Sequence, residues 1–129
     1  MSAFDSQITF FSTRDLGLVR SFYGGVLGLP IALDQGVCLI FRVSGGAYLG
    51  FCTTTSREFE KGALVTLVTQ DVDEWASRLR LSGAVCEKEP SPSPAFGIYN
   101  CFFRDPEGRM LEIQRFDEPA WDRSVTPRE

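Results

Sequence analysis

Glu112 is the residue of this sequence whose setting most invites chemistry. It stands in Arg104–Phe116, "RDPEGRMLEIQRF", where a polar turn runs into a strand and a carboxylate is set among Met110, Leu111 and Ile113. Such a carboxylate can ligate a metal, accept a proton or bind a hydrogen-bond donor. Its company decides which, and that company is restricted, because the chain contains no histidine. The commonest general base, the usual partner of a Ser or Cys nucleophile and the commonest transition-metal ligand are therefore all missing. The four cysteines, Cys38, Cys52, Cys86 and Cys101, are widely spaced and form no C-x-x-C pair. They read as small buried hydrophobes in a reducing compartment, with a reactive thiol as the alternative.

The whole chain narrows the classes further. Its 129 residues are one domain's worth, enough to bury a core without staples. A 43% hydrophobic and 23% charged composition fits a soluble globular protein. The net charge of −4 argues against a phosphate-backbone partner, so no nucleic acid is expected. "MSAFDSQITFF" at the N-terminus has no basic segment leading into an apolar one, and no stretch approaches the ~18 apolar residues of a membrane span. The expectation is a cytoplasmic protein without a membrane partner.

The elements that must position Glu112 can be read from pattern. Residues 8–13 are β-branched and aromatic and predict a strand. Asp15 then caps a helix with Leu16, Val19, Phe22, Tyr23, Val26 and Leu27 at helical spacing, ended by Gly28. Ile31–Leu33, Val37–Val43 and Ala47–Thr53 predict three short strands, separated by Gly36 and by Ser44-Gly45-Gly46. After a polar connection at 56–62 the order begins again. Residues 63–69 predict a strand, Asp71 a cap, and Val72, Trp75, Leu79 and Leu81 a helix that Gly83 stops. Ala84–Lys88 predicts a short strand, and "EPSPSPAFG" a Pro/Ser loop excluded from a sheet centre. Ile98–Phe103 and Arg109–Phe116 then form a hairpin around Asp105-Pro106-Glu107-Gly108, with Pro presetting φ and Gly supplying positive φ. Residues 117–129 are a polar tail, partly mobile by expectation. Its Trp121 either packs back on the surface or meets a partner chain.

The two halves repeat. "ITFFSTRDL" lies over "LVTLVTQDV", with the same seven-residue step from Ile8 to Asp15 and from Leu64 to Asp71. The expected fold class is α+β: one domain, 1–129, of two βαβββ repeats (7–55 and 63–116) packed side by side around a concave sheet cleft. Such a cleft is the default ligand site.

"DLGLVRSFYGGVLGL" (Asp15–Leu29), "DVDEWASRLRLSG" (Asp71–Gly83) and "FFRDPEGRMLEI" (Phe102–Ile113), in this order and at these separations, resemble the vicinal oxygen chelate superfamily. That group includes glyoxalase I, extradiol dioxygenases, fosfomycin-resistance enzymes and bleomycin-resistance proteins, and the likeness covers roughly residues 7–116. In metal-dependent members, a His begins the first strand of each repeat and Glu or Gln sits on the last. The resemblance puts the His positions near Ile8 and Leu64, and the last-strand positions at Leu49 or Gly50 and at Glu112. Only Glu112 can ligate, and one carboxylate does not hold a divalent transition metal in water. Cys38, Cys52 and Cys101, on strands, are the remaining candidates for a thiolate beside it, though none occupies a matched position. The resemblance thus implies a metal-ligand-poor member with no metal and no cofactor, closest to the bleomycin-resistance type.

Alternation puts Met110, Glu112 and Gln114 on one strand face and Leu111, Ile113 and Phe116 on or near the other. With the apolar set on the helices, Glu112 and Gln114 point into the cleft. The matched first strands add Ile8, Phe10 and Ser12, and Leu64, Thr66 and Val68. Ile8, Phe10, Leu64, Thr66, Glu112 and Gln114 are therefore the candidate ligand-binding residues, for a small hydrophobic or aromatic molecule. Three readings of Glu112 stay open: a relic satisfied by a neighbouring Arg or water, a binding group for a cationic or donor ligand, and a catalytic base with Tyr48 or Tyr99 as acid. The expected function is metal-independent binding of that ligand. The alternatives are a lyase, isomerase or dioxygenase-like enzyme using Glu112 as base or metal ligand, and a partner-binding domain. The resemblance also implies a homodimer.

Overall fold

β-Branched and aromatic residues followed by a capped helix occur twice, and each occurrence nucleates its own sheet. The structure, a computed structural model, describes residues 3–53 and 62–122. The chain divides into two compact units, Met1–Gly62 and Ala63–Glu129. In unit one, β1 (Gln7–Ser12) leads to α1 (Leu16–Val19), a π-helical segment Arg20–Val26, β2 (Ile31–Asp34), β3 (Cys38–Ser44) and β4 (Ala47–Cys52). In unit two, β5 (Val65–Val68) leads to α2 (Val72–Leu81), β6 (Val85–Ser93), β7 (Ile98–Arg104) and β8 (Met110–Phe116). The strand orders are β1-β4-β3-β2 and β5-β8-β7-β6, each with its first strand parallel to its last. The repeat read from sequence is thus present as two like βαβββ halves, an α+β fold. No helix among the described residues is long and apolar enough to cross a membrane.

Each unit buries one sheet face under its own helix. In unit one Phe11, Leu39, Phe41, Leu49 and Phe51 are buried, and Tyr23 from the helix meets Phe51 at 4.5 Å and Phe41 at 6.1 Å between ring centroids. The single regular helix expected there departs from the pattern. Asp15 caps it as expected, accepting from the Gly17 and Leu18 amides at 2.9 and 3.2 Å. The coil then widens to π through Gly24-Gly25, with the Leu27 amide reaching back to Phe22 at 2.9 Å. Glycines weaken an α register, and the wider turn lets the consecutive Phe22 and Tyr23 both be buried. Gly28, at φ +71°, ends the segment.

In unit two Val72, Ala76 and Leu79 seat α2 over Cys101, Phe103, Leu111 and Ile113, all fully or nearly fully buried. Asp71 stands at the N-cap but its side chain makes no cap bond; its own amide donates instead to Thr69 Oγ1 at 3.1 Å. Asp73 and Glu74 place negative charge in the first turn, where the helix dipole favours it.

Two further expectations need correction, and of the two readings of Trp121 the structure shows packing back on its own chain. The "EPSPSP" stretch is not a loop: β6 runs through Ser93 and includes Pro90 and Pro92. β6 is an edge strand with two register shifts against β7, so the missing proline amides face no partner strand. Cys38 and Cys52 are not separate buried thiols but a disulfide, whereas Cys86 and Cys101 are free. Trp121 stacks on Phe116, centroids 3.9 Å apart and 10° from coplanar. The start of the tail is held by the Asp117 and Glu118 amides, which both donate to the Gly97 carbonyl. Most of the polar connection at 56–62, and the tail from 123 onward, lie outside the described residues.

Candidate functional site

The turn before β8 sets the phase of Glu112. Asp105 Oδ1 accepts from the amides of Glu107 and Arg109 at 2.9 and 2.8 Å. The buried Arg109 guanidinium in turn pairs with Asp105 at 2.8 Å and Glu107 at 3.1 Å. A turn fixed this tightly starts β8 in one register, so Leu111 and Ile113 go under α2 and Glu112 emerges on the face away from the helix.

On that face Glu112 is directly opposite Thr66 of β5 and Phe102 of β7, with Asn100 diagonal to it. Thr66 Oγ1 donates to Glu112 Oε1 at 2.7 Å, and Asn100 Nδ2 donates to Glu112 Oε2 at 2.8 Å. Glu112 is 6% exposed. Asn100 is itself held, because its Oδ1 accepts from Lys88 Nζ and from Ser93 Oγ at 3.0 Å. Lys88 Nζ also donates to the carbonyls of Asn100 and Ser91 at 3.0 and 3.3 Å, which uses the three donors of an ammonium. The chain of contacts runs Thr66, Glu112, Asn100, Lys88. Within it the negative Glu112 and the positive Lys88 are separated by the neutral amide of Asn100. No ion pair among the described residues includes Glu112 directly.

Thr66 and Glu112 were expected from sequence; Asn100, Lys88 and Ser93 were not. Asn100 had a signal, as a polar residue between apolar ones in "IYNCFF". Lys88 had none, because the register shifts on either side of it bring its side chain to this face. Gln114 is buried on the same face, opposite Asn100. Leu64 precedes β5 and is exposed. Tyr99 does not serve as an acid toward Glu112: its hydroxyl donates to Asp73 Oδ1 at 2.6 Å, which raises its pKa. Tyr48 belongs to unit one, opposite Ile8.

Unit one answers the same positions differently. The repeat aligns Phe10 with Thr66, and Phe10 is opposite Gly50 as Thr66 is opposite Glu112. Gly50 is therefore the counterpart of Glu112. The Phe10 ring lies against it, so a Cβ added at Gly50 would come within 2.5 Å of two ring carbons. Phe10 is 48% exposed, and Ile8 on the same strand face is exposed too.

This geometry does not fit a chelated metal. Of the four matched positions, Ile8, Leu64 and Gly50 offer no donor atom, and an aromatic ring occupies the space beside Gly50. Among the described residues no group of three or more His, Cys, Asp or Glu could hold a metal ion.

Solved structures with the same fold share little sequence with this chain. Lactoylglutathione lyase from Agrobacterium tumefaciens superposes with a TM-score of 0.71 at 21% identity, over 89% of this chain and 96% of its own. TioX from Micromonospora sp. ML1 gives 0.71 at 21% identity over 85% and 97%. A glyoxalase/bleomycin resistance protein/dioxygenase family enzyme from Burkholderia phytofirmans PsJN gives 0.69 at 18% over 84% and 95%. No curated protein matches in sequence. The family model that matches covers residues 7–113, nearly the whole of both repeats, and so the chain belongs to the glyoxalase/bleomycin resistance protein/dioxygenase superfamily.

Proposed function

We propose that this chain is a small-molecule-binding protein that takes a small hydrophobic or aromatic ligand without a metal, with Glu112 as the polar anchor. One observation carries the reading. The helix-free face of unit two presents a carboxylate already oriented by Thr66 and Asn100, with no cation bonded to it. Two neutral donors leave acceptor capacity on both oxygens, since a carboxylate has about four lone-pair sites. A ligand's N–H or O–H would meet a group that needs no reorganisation. Exposed Leu64 and Val68, flanking Thr66 in unit two, supply apolar surface of the kind such ligands bury. Cytoplasmic residence and a homodimer belong to the same proposal; elution at monomer mass across a wide concentration range removes the dimer.

The enzyme reading, with Glu112 as base, needs an acid partner. Tyr99 is engaged by Asp73, which weakens that case.

The test is a thermal-shift screen of small aromatic compounds carrying amine, amide or hydroxyl groups, followed by calorimetric titration on wild type and Glu112→Gln. Binding that weakens in Glu112→Gln with no chemical change in the ligand supports the proposal. Turnover of a bound compound that Glu112→Gln abolishes replaces it with the enzyme reading. A screen in which no compound binds removes it.

A further inference from the structure

We propose that the Cys38–Cys52 disulfide is a thiol–disulfide exchange site, opened by an external dithiol that attacks at Cys38. The inference is independent of the ligand reading above.

Cys38 on β3 and Cys52 on β4 are directly opposite, with Cα atoms 4.1 Å apart. The Thr53 amide donates to the Val37 carbonyl one position outward, which marks 38/52 as a non-hydrogen-bonded pair, the closer of the two antiparallel kinds. The sulfurs therefore bridge across the sheet surface rather than through the core. They lie on the face of Ile40 and Gly50, opposite the one where Leu39 and Phe51 pack under the helix.

The two ends of the bond are unequal. Cys52 is 5% exposed, while Cys38 is partly open to solvent. Thiolate attack needs access to one sulfur along the bond axis, so Cys38 Sγ receives the nucleophile and Cys52 Sγ leaves. The strands do not depend on the bond to stay in register. The β3–β4 ladder runs on to Ala47, the Thr13 amide holds the Cys52 carbonyl at 3.0 Å, and the Gln35 amide holds that of Cys38 at 2.9 Å. Opening therefore proceeds from the folded state.

Unit one has no third cysteine to resolve a mixed disulfide at Cys38, and a dithiol brings its own second thiol for that step. In unit two Cys101 is fully buried, and that burial pushes its thiol up to about 11, away from thiolate at neutral pH. The step balances as follows. One thiolate of the dithiol bonds to Cys38 Sγ, the Cys38–Cys52 bond breaks, and Cys52 leaves as a thiolate and takes a proton. The dithiol's second thiolate then attacks its own first sulfur in the mixed disulfide, releasing Cys38, which is protonated. The cystine has gained two electrons and two protons, and the dithiol has become a cyclic disulfide. The reverse exchange, with that cyclic disulfide as oxidant, closes the bond.

The test uses the intact wild-type protein, equilibrated in graded ratios of reduced to oxidised dithiothreitol, trapped with iodoacetamide and mapped by mass spectrometry. Circular dichroism is recorded on the same samples. The expected result is joint labelling of Cys38 and Cys52 in one reversible two-electron step, with a native spectrum at both ends. Labelling that appears only in denaturant concentrations that unfold the chain overturns the proposal, as does a pair that stays reduced at the oxidised end. The direction of attack is tested with glutathione disulfide on the single variants. Cys52→Ser, which keeps Cys38, should take up glutathione at least about tenfold faster than Cys38→Ser. Equal rates overturn attack at Cys38.

Discussion

The Phe10 ring lies against Gly50 so closely that any side chain at 50 would collide with it. Because Gly50 is the counterpart of Glu112, the two repeats have diverged at one position into an aromatic surface and a hydrogen-bonded carboxylate. Gly50→Ala should therefore cost about 1–3 kcal/mol, with the ring forced off its seat. Phe10→Ala should relieve that cost, so a double-mutant cycle by denaturant unfolding should show coupling above about 0.5 kcal/mol. Additive effects would mean that the ring moves freely.

That relationship also marks how far the sequence could be read. Repeats, the succession of elements along the chain and the phase of β8 were legible because period-2 and period-3.6 patterns stood between clear turn residues, and because Asp105–Gly108 is a strong turn signal. Glu112 was visible as a lone acid among apolar neighbours. Lys88 was hidden because edge-strand bulges, which carry no composition signal, decide where it points. Pro90 and Pro92 misled for the same reason: proline rules out a central strand, and nothing in the sequence said that β6 is an edge. The cysteine pair was hidden because residues 14 apart meet only once the β3–β4 register is fixed.

Asn100 joins Glu112 to Lys88 in the unit-two network, so its loss should be felt at both. Asn100→Ala removes a donor to Glu112 and an acceptor for Lys88 and Ser93, and leaves polar groups buried without partners. The expected cost is about 2–3 kcal/mol. Glu112→Gln should be milder, about 1 kcal/mol. The glutamine oxygen can accept from Asn100 while its amide donates to the Thr66 hydroxyl, which then serves as acceptor. Urea unfolding of both variants decides, and equal costs would contradict this division.

Cys101 should make stability fall in alkali. Burial, followed by the neighbouring Cys86, raises its pKa from 9.0 to about 11. The folded state thus keeps the proton that the unfolded state gives up near pH 9. The stabilisation is fully present below pH 9 and is lost progressively as pH rises toward about 11, amounting to about 2 kcal/mol. Guanidinium unfolding between pH 8 and 11 measures it. Cys101→Ala, less stable throughout from its cavity, should lack that slope; an unchanged slope would assign the alkaline loss to other groups.

Trp121 should report on the fold-back of the chain after β8. It stacks on Phe116 at 3.9 Å while remaining 41% exposed, and the Asp117 and Glu118 amides hold the intervening segment to Gly97. A stacked aromatic pair contributes about 1 kcal/mol beyond area burial, so Trp121→Ala should destabilise by roughly that amount. The other tryptophan, Trp75, lies on α2 under the Arg78 guanidinium. Fluorescence of Trp75→Phe therefore isolates Trp121. Its emission should shift to the red, and its quenching by acrylamide should rise, in the same transition that unfolds β7 and β8. A red-shifted, freely quenched Trp121 in the native protein would show that the stack does not persist in solution.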